Sequence, residues 1–223
     1  MKVRDNPAAR WKFQPAPLSI PTAMKMHTAG TTLTVAIALA LLAPAVQADD
    51  PAARGQKLAY TCMGCHGIEN YKNAYPNYSV PKLGGQHTAY LVAALEQYQS
   101  GARWHPTMRG LASTLSAQDR ADLAAWFTST APIPSGGKQV GTPPATAAAC
   151  GACHGSDGLG TLDEYPNLAG QHADYLAQAL NDYRLGKRKN PIMGTFAQQL
   201  TREDIEALAA YFSKQPGLRT PKL

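Results

Sequence analysis

Cysteine is scarce in this chain, and what there is comes in two tight pairs, Cys62 with Cys65 and Cys150 with Cys153. An even count in an exported protein would ordinarily suggest a disulfide framework. That reading leaves unexplained why each pair is followed at once by a histidine, His66 or His154. No stretch alternates apolar and polar residues long enough for a strand, so the βαβ setting of a thioredoxin-like dithiol is missing. No apolar run reaches the length of about 20 residues that a membrane-spanning helix wants. Strong charge is missing as well. Of 21 Lys and Arg and 15 Asp and Glu, five bases (Lys2, Arg4, Arg10, Lys12, Lys25) and one acid (Asp5) fall in residues 1–48, leaving 16 against 14 and a net charge of +2. The basic character of the full chain belongs mostly to its leader and gives no reason to expect a nucleic-acid partner, which would need a basic face on the folded part.

The apolar run that is present, residues 31–45, follows Lys25 and leads into Val46-Gln47-Ala48. A positive start, a short apolar core and small residues at the exit are the marks of a secretory signal. Residues 1–48 are therefore expected to be a leader cleaved after Ala48, which makes the mature protein periplasmic; an uncleaved signal would instead tether it to the membrane. Translation can start at Met1, Met24 or Met26.

The remainder is a tandem repeat. Cys62-Met-Gly-Cys65-His66 matches Cys150-Gly-Ala-Cys153-His154 at an offset of 88, and Pro81-Lys-Leu-Gly-Gly-Gln-His87 matches Pro166-Asn-Leu-Ala-Gly-Gln-His172 at 85. Tyr90-Leu91, Gly101-Ala-Arg103, Pro106-Thr-Met108 and Trp126-Phe127 match Tyr175-Leu176, Gly186-Lys-Arg188, Pro191-Ile-Met193 and Tyr211-Phe212. The change of offset places three extra residues in the first copy, within 73–80. Each copy is the size of a domain, so the period signals duplication rather than a solenoid. The expected domains are 49–133 and 145–223, joined by a Pro- and Gly-rich linker at 134–144.

Three main helices are expected in each copy: one leading into the cysteine motif (52–65 and 146–153), one from Thr88 or Ala173 to Gly101 or Gly186, and one starting at Ser116 or Thr201. The second repeats apolar residues on one face. The third opens on a hydroxyl with an acid three residues on, Asp119 or Asp204, which is a capping-box pattern. The fold class is all-α. Domains this small have little core of their own, so a large planar apolar ligand would be structural as well as functional.

Cys-x-x-Cys-His is the attachment signature of a c-type haem. Two cysteines three apart near a helix end can reach the two vinyl groups of one porphyrin, and the adjacent histidine can face the iron. The same spacing is poor for tetrahedral zinc. Two such motifs, using every cysteine, imply two covalently bound haem c groups: Cys62 and Cys65 with His66, Cys150 and Cys153 with His154. For the sixth ligand, Met63 has no counterpart in the second copy, whereas Met108 and Met193 align, each in a Pro-x-Met loop. A thioether there would raise the haem potential by favouring ferrous iron. The competing candidates are His87 and His172, which also align but are expected to sit structurally at a helix start, bonded across a domain edge. His105 has no histidine counterpart and is expected at the surface.

These motifs closely resemble the diheme cytochrome c4 family over nearly all of the mature chain. The resemblance implies two tandem class I cytochrome c domains, each a few helices wrapped around one haem, with the haem edges close across the domain interface. It implies one haem held by Cys62, Cys65, His66 and Met108 and the other by Cys150, Cys153, His154 and Met193. It also implies an electron-transfer protein rather than an enzyme, a periplasmic carrier with redox partners: a donor such as a quinol–cytochrome c reductase and an acceptor such as a terminal oxidase. Two other functions remain open, a cytochrome subunit of a dehydrogenase complex and a two-haem peroxidase. The insertion at 73–80 and Arg103-Trp104-His105 set the first site apart from the second. Arg184, Lys187, Arg188 and Lys189 form a basic cluster that either steers an acidic partner or simply favours a solvated helix end.

Overall fold

The computed structural model describes residues 50–133 and 139–223 of the chain. The expected leader, its cleavage after Ala48 and residues 134–138 of the expected linker lie outside these residues. Among the described residues the regular elements are all helices: α1 (Pro51–Leu58), α2 (Tyr60–His66), α3 (Thr88–Ser100), α4 (Pro106–Ala112) and α5 (Ala117–Ser129) in the first half, then α6 (Ala147–His154), α7 (Ala173–Arg184), α8 (Pro191–Gln198) and α9 (Arg202–Ser213) in the second. Extended pairing is limited to isolated bridges. No described helix is long and apolar enough to cross a membrane.

Local chemistry accounts for the helix ends. Ser116 and Thr201 cap α5 and α9, and Asp119 and Asp204 return the bond, so both capping boxes are complete. Helix α3 stops at Gly101, which closes it in the left-handed region. The helix expected over 52–65 is two, α1 and α2, parted only at Ala59, whose own dihedrals are helical and whose N–H still bonds Gly55 O at 2.8 Å.

The two halves have equivalent cores. In the first, Leu91, Leu123, Trp126 and Phe127 pack with Ala59 and Ala124. In the second, Leu176, Leu208, Tyr211 and Phe212 pack with Ala147 and Ala209. The aromatic pairs tilt together, with ring centroids 4.7 Å apart for Trp126–Phe127 and 5.0 Å for Tyr211–Phe212. In the first half α1 crosses α5 so closely that a Cβ on Gly55 would lie 2.0 Å from Asp122 O; glycine is the residue that permits such an approach. Arg54 seals the crossing, with guanidinium nitrogens 3.2 Å from Asp119 and 3.1 Å from the buried Asp122.

The halves meet through segments that carry the repeat. Gln86 donates to Asn167 O at 3.0 Å and accepts from Asn167 N at 2.8 Å. Gln171 answers with Lys82 O at 3.0 Å and Lys82 N at 2.9 Å. Each glutamine follows a glycine at positive φ, Gly85 at 82° and Gly170 at 73°. A side chain at either would be strained and would also strike backbone, Ala131 O at 2.4 Å or Leu218 O at 2.9 Å. His87 bonds Tyr165 O across the boundary at 2.9 Å. The insertion at 73–80 docks on the other half: the N–H and hydroxyl of Ser79 both donate to Asp174, which also pairs with Lys72 at 3.1 Å. The C-terminal tail joins in, with Arg219 and Gly84 exchanging both backbone bonds.

Candidate haem sites

Each half builds the same site from the same parts. Helices α2 and α6 end on the Cys-x-x-Cys-His motif, so the cysteines and the histidine lie on consecutive turns. All four cysteines are free and half-buried. His66 and His154 are buried. Each donates from Nδ1 to a carbonyl, His66 to Pro81 O and His154 to Pro166 O, both at 2.8 Å. That bond fixes the tautomer and leaves the lone pair on Nε2, the arrangement of a metal-ligating imidazole. Burial draws the His66 imidazole down to about 4, helped by the nearby charges of His105 and Arg103 against the bond to Pro81. His154 is lowered for the same first reason, burial, with Arg188 adding to it. Both rings are therefore neutral at physiological pH, as a ligand must be. Burial also raises the Cys62 and Cys150 thiols.

Met108 and Met193 differ from expectation in their setting. They stand not in loops but in the first turn of the short helices α4 and α8. Proline occupies the first helical position in each, where its missing N–H costs nothing. The cap before it is His105 in one half and Asn190 in the other. His105 Nδ1 accepts from Met108 N at 3.3 Å, and Asn190 Oδ1 accepts from Met193 N at 3.0 Å. His105 is thus buried rather than at the surface. Its counterpart does the same work with a different acceptor atom. Helices α4 and α8 pack on α3 and α7 respectively. They leave Leu111, Ile192 and Phe196 exposed, apolar surface beside the site that a bound macrocycle can cover.

His87 and His172 take the N-cap positions of α3 and α7 without a side-chain cap bond. His87 is already committed to carbonyls of the other half.

The Gln86 and Gln171 clamps were not foreseen, yet they bear directly on the sites. Gln171 holds both backbone groups of Lys82, next to the Pro81 carbonyl that orients His66. Gln86 holds Asn167, next to the Pro166 carbonyl that orients His154. Each histidine is thus positioned by a turn that the opposite half grips. The repeated Gly-Gln was the available signal.

The basic cluster also looks different in three dimensions. Residues 187–189 are extended against 102–104, with Trp104 N on Lys187 O at 3.2 Å and Lys189 N on Ala102 O at 2.7 Å. Alternation along an extended segment turns Lys187 and Lys189 outward and buries Arg188 at the boundary, opposite Arg103. Arg188 therefore takes no part in an exposed docking patch. Arg188 donates to Tyr90 Oη at 2.8 Å, and Arg103 donates to Tyr90 Oη at 3.4 Å and to the Tyr175 hydroxyl. Burial works to raise the Tyr90 phenol, but Arg188 and Arg103 outweigh it and bring the group down to about 7.

The donor set fits haem: paired thiols, a neutral imidazole with a free Nε2, and a methionine on a capped helix, all present twice. Comparison with known proteins agrees. The cytochrome c family model matches residues 52–131 and again 144–215. The chain is 36% identical to cytochrome c4 of Azotobacter vinelandii over 83% of its own length and 98% of that protein. It is 32% identical to the thiosulfate dehydrogenase electron acceptor of Stutzerimonas stutzeri, over 79% of this chain and 91% of that one. The crystal structure of reduced recombinant cytochrome c4 from Pseudomonas stutzeri superposes with a TM-score of 0.57 and 33% identity, covering 77% of this chain and all of the other. The chain belongs to the cytochrome c family: it is a diheme electron-transfer cytochrome of the c4 type, not an enzyme, with two haem c groups bound covalently through its Cys-x-x-Cys-His motifs.

Proposed function

We propose that this cytochrome is a periplasmic carrier of single electrons, with His66 and Met108 as the axial ligands of one iron and His154 and Met193 as those of the other. The observation that carries the ligand assignment is the doubled geometry: a tautomer-fixed imidazole and a methionine on a proline-started, side-chain-capped helix occur in both halves. When bound, haem supplies a reversible one-electron iron couple. The chain does the rest. Its cysteines tether the group in a dilute compartment. The Pro81 and Pro166 carbonyls hold the imidazoles in orientation and strengthen them as donors. The methionine thioethers favour the ferrous state. With a histidine and a methionine of the chain holding each iron, no position would be left for a substrate, which weighs against the peroxidase reading. The leader pattern before Ala48 supports export, and the c4 relatives support electron transfer with redox protein partners; the donor in this reading is one such as a quinol–cytochrome c reductase and the acceptor one such as a terminal oxidase.

Replacing Met108 or Met193 with alanine tests the ligand set. The intact protein is expected to resist cyanide, and each variant to bind one equivalent while keeping two haems. Cyanide binding by the intact protein, or a variant with an unchanged spectrum, would contradict the assignment.

A second reading, service to a dehydrogenase, is favoured by the similarity to a protein named as an electron acceptor of thiosulfate dehydrogenase. Rapid reduction by such an enzyme with thiosulfate, and not by a quinol–cytochrome c reductase, would move that reading to the front.

A further inference from the structure

A cavity of about 540 Å³ opens where the C-terminal tail of the second half crosses onto the first, and none of the residues assigned to haem lines it. Its walls are the turn after His66, with Glu69 and Asn70, then Lys82, the chain just after α5, and the tail, with Leu218, Arg219 and Lys222. Both sides are held in place. Arg219 and Gly84 exchange backbone bonds at 3.0 and 3.1 Å, and Leu218 N bonds Ala169 O at 2.8 Å. Lys82 Nζ donates to Gly170 O at 2.6 Å, which uses one of the three N–H groups of an ammonium.

The cavity is short of negative charge. Lys82, Arg219 and Lys222 line it with one carboxylate, Glu69, and among the described residues none of the three forms a salt bridge. Burial pulls the Lys82 ammonium below the usual lysine value, with Glu69 opposing. A cation held away from water without a partner at contact distance is unfavourable. The repeat shows that these polar groups are particular to the first half. Lys82 stands where the second copy has Asn167, a neutral amide spent on Gly160 N and Gly85 O, both at 3.1 Å. Asn70, at a φ of 57°, stands where the offset of 88 puts Gly158, at 83°. Glycine takes such a turn at no cost. Asparagine tolerates it, and here it adds a carboxamide to the cavity wall. A lone phosphate would occupy a small part of this volume, which lies in the range of about 300–1,000 Å³ usual for small-molecule sites. Cations on two separate segments, an amide donor and the apolar wall at Leu218 suit carboxylates spread along a short carbon chain, and the guanidinium fork matches a carboxylate.

We propose that this cavity binds a small di- or tricarboxylate, with Lys82, Arg219 and Lys222 as its cationic contacts and Asn70 as a further donor. The bound molecule then ties the tail of the second half to the first half. The site is indifferent to which residue is the sixth ligand and to which redox partner the cytochrome serves.

The test is a calorimetric titration of the holoprotein with citrate at low ionic strength, with inorganic phosphate and a glutamate-rich peptide as comparisons at the same ionic strength. The wild type is expected to bind one citrate per chain and to unfold at a higher temperature in its presence. Arg219→Gln and Lys222→Gln change exposed side chains, and each should weaken citrate about tenfold, the order expected for losing one hydrogen bond to a charged group. Asn70→Gly installs the residue of the second copy, keeps the turn unstrained and should weaken citrate by a smaller factor. No citrate binding by the wild type overturns the proposal. Citrate affinity unchanged in both R219Q and K222Q places the binding elsewhere and overturns it as well. Phosphate that binds as tightly as citrate would mean that charge alone is read, not a spread of carboxylates. A peptide that displaces citrate and binds more tightly would make the cavity a docking place for an acidic protein. Either result contradicts a small-molecule site.

Discussion

The first half carries a helix that the second half lacks. Helix α1 lies across α5 through Gly55 and is tied down by Arg54 on Asp119 and Asp122. By the repeat offset its counterpart is 139–146, which forms no helix, and the position of Asp122 is taken by Ala207. There the chain leans on α9 by other means. Gln139 bonds the Tyr211 hydroxyl, and Val140 exchanges both backbone bonds with the Gln215 side chain, at 2.9 and 2.8 Å. The site parts do not vary in this way. The histidine-to-carbonyl bond is 2.8 Å in both halves, the methionine helix is capped in both, and each glutamine clamps the other half. The outer brace is interchangeable, whereas the groups that orient the iron ligands and join the halves are kept.

Substitutions that touch only the brace should break the first half alone. Gly55→Ala drives a Cβ into Asp122 backbone and is expected to cost about 3 kcal/mol, the upper end for overpacking. Thermal unfolding should show the loss. A melt unchanged from wild type would mean that α1 contributes nothing to the first half. Arg54→Ala strips the partner from a carboxylate only 1% exposed. Because Gln118 still donates to Asp122 and Arg54 is itself partly exposed, the expected loss is about 2 kcal/mol, below the usual range for breaking a buried pair.

The clamps sharpen the comparison from the other side. Gln86→Ala leaves the buried backbone N–H and C=O of Asn167 unpaired and Gln171→Ala those of the half-buried Lys82, each worth about 1–2 kcal/mol, with the larger loss expected at Gln86. Each should also disturb the histidine of the opposite half more than its own, read from which haem's spectrum changes. Equal disturbance of both haems would sever the link between clamp and site.

The smallest effect concerns the insertion. Burial tends to raise Asp174, but the bonds from Ser79 and Lys72 outweigh it and hold the carboxyl low. Its folded pKa lies below the unfolded one, so the unfolded state binds more protons and stability falls as pH drops. The contribution is full above the ordinary carboxylate range and is lost as pH falls through the depressed value. Asp174→Asn should melt below wild type at neutral pH and approach it in acid; a gap that stays constant with pH would remove the insertion's charge from the account.

Much of this was legible in the sequence. Both capping boxes, the stop of α3, the duplication and the haem motifs follow from local chemistry that tertiary structure did not override. The methionine helices were less so: proline at the first helical position was visible, but His105 and Asn190 look unrelated until both are seen to offer an acceptor to the same N–H. The clamps were hidden because their partners are backbone groups of the other half, which carry no side-chain signature. Arg188 misled for a similar reason. Three consecutive bases read as one solvated patch, and only the extended pairing with 102–104 reveals that the middle one faces inward.

The central claim is that both irons are closed by methionine. The most direct measurement is the visible and far-red spectrum of the purified mature protein, oxidised and then reduced, with haem counted per chain. Two haems, with the weak far-red sulfur-to-ferric-iron band at the strength of two methionine ligands, is the predicted result. Two haems with that band halved or missing would contradict it, leaving one iron open or held by two histidines.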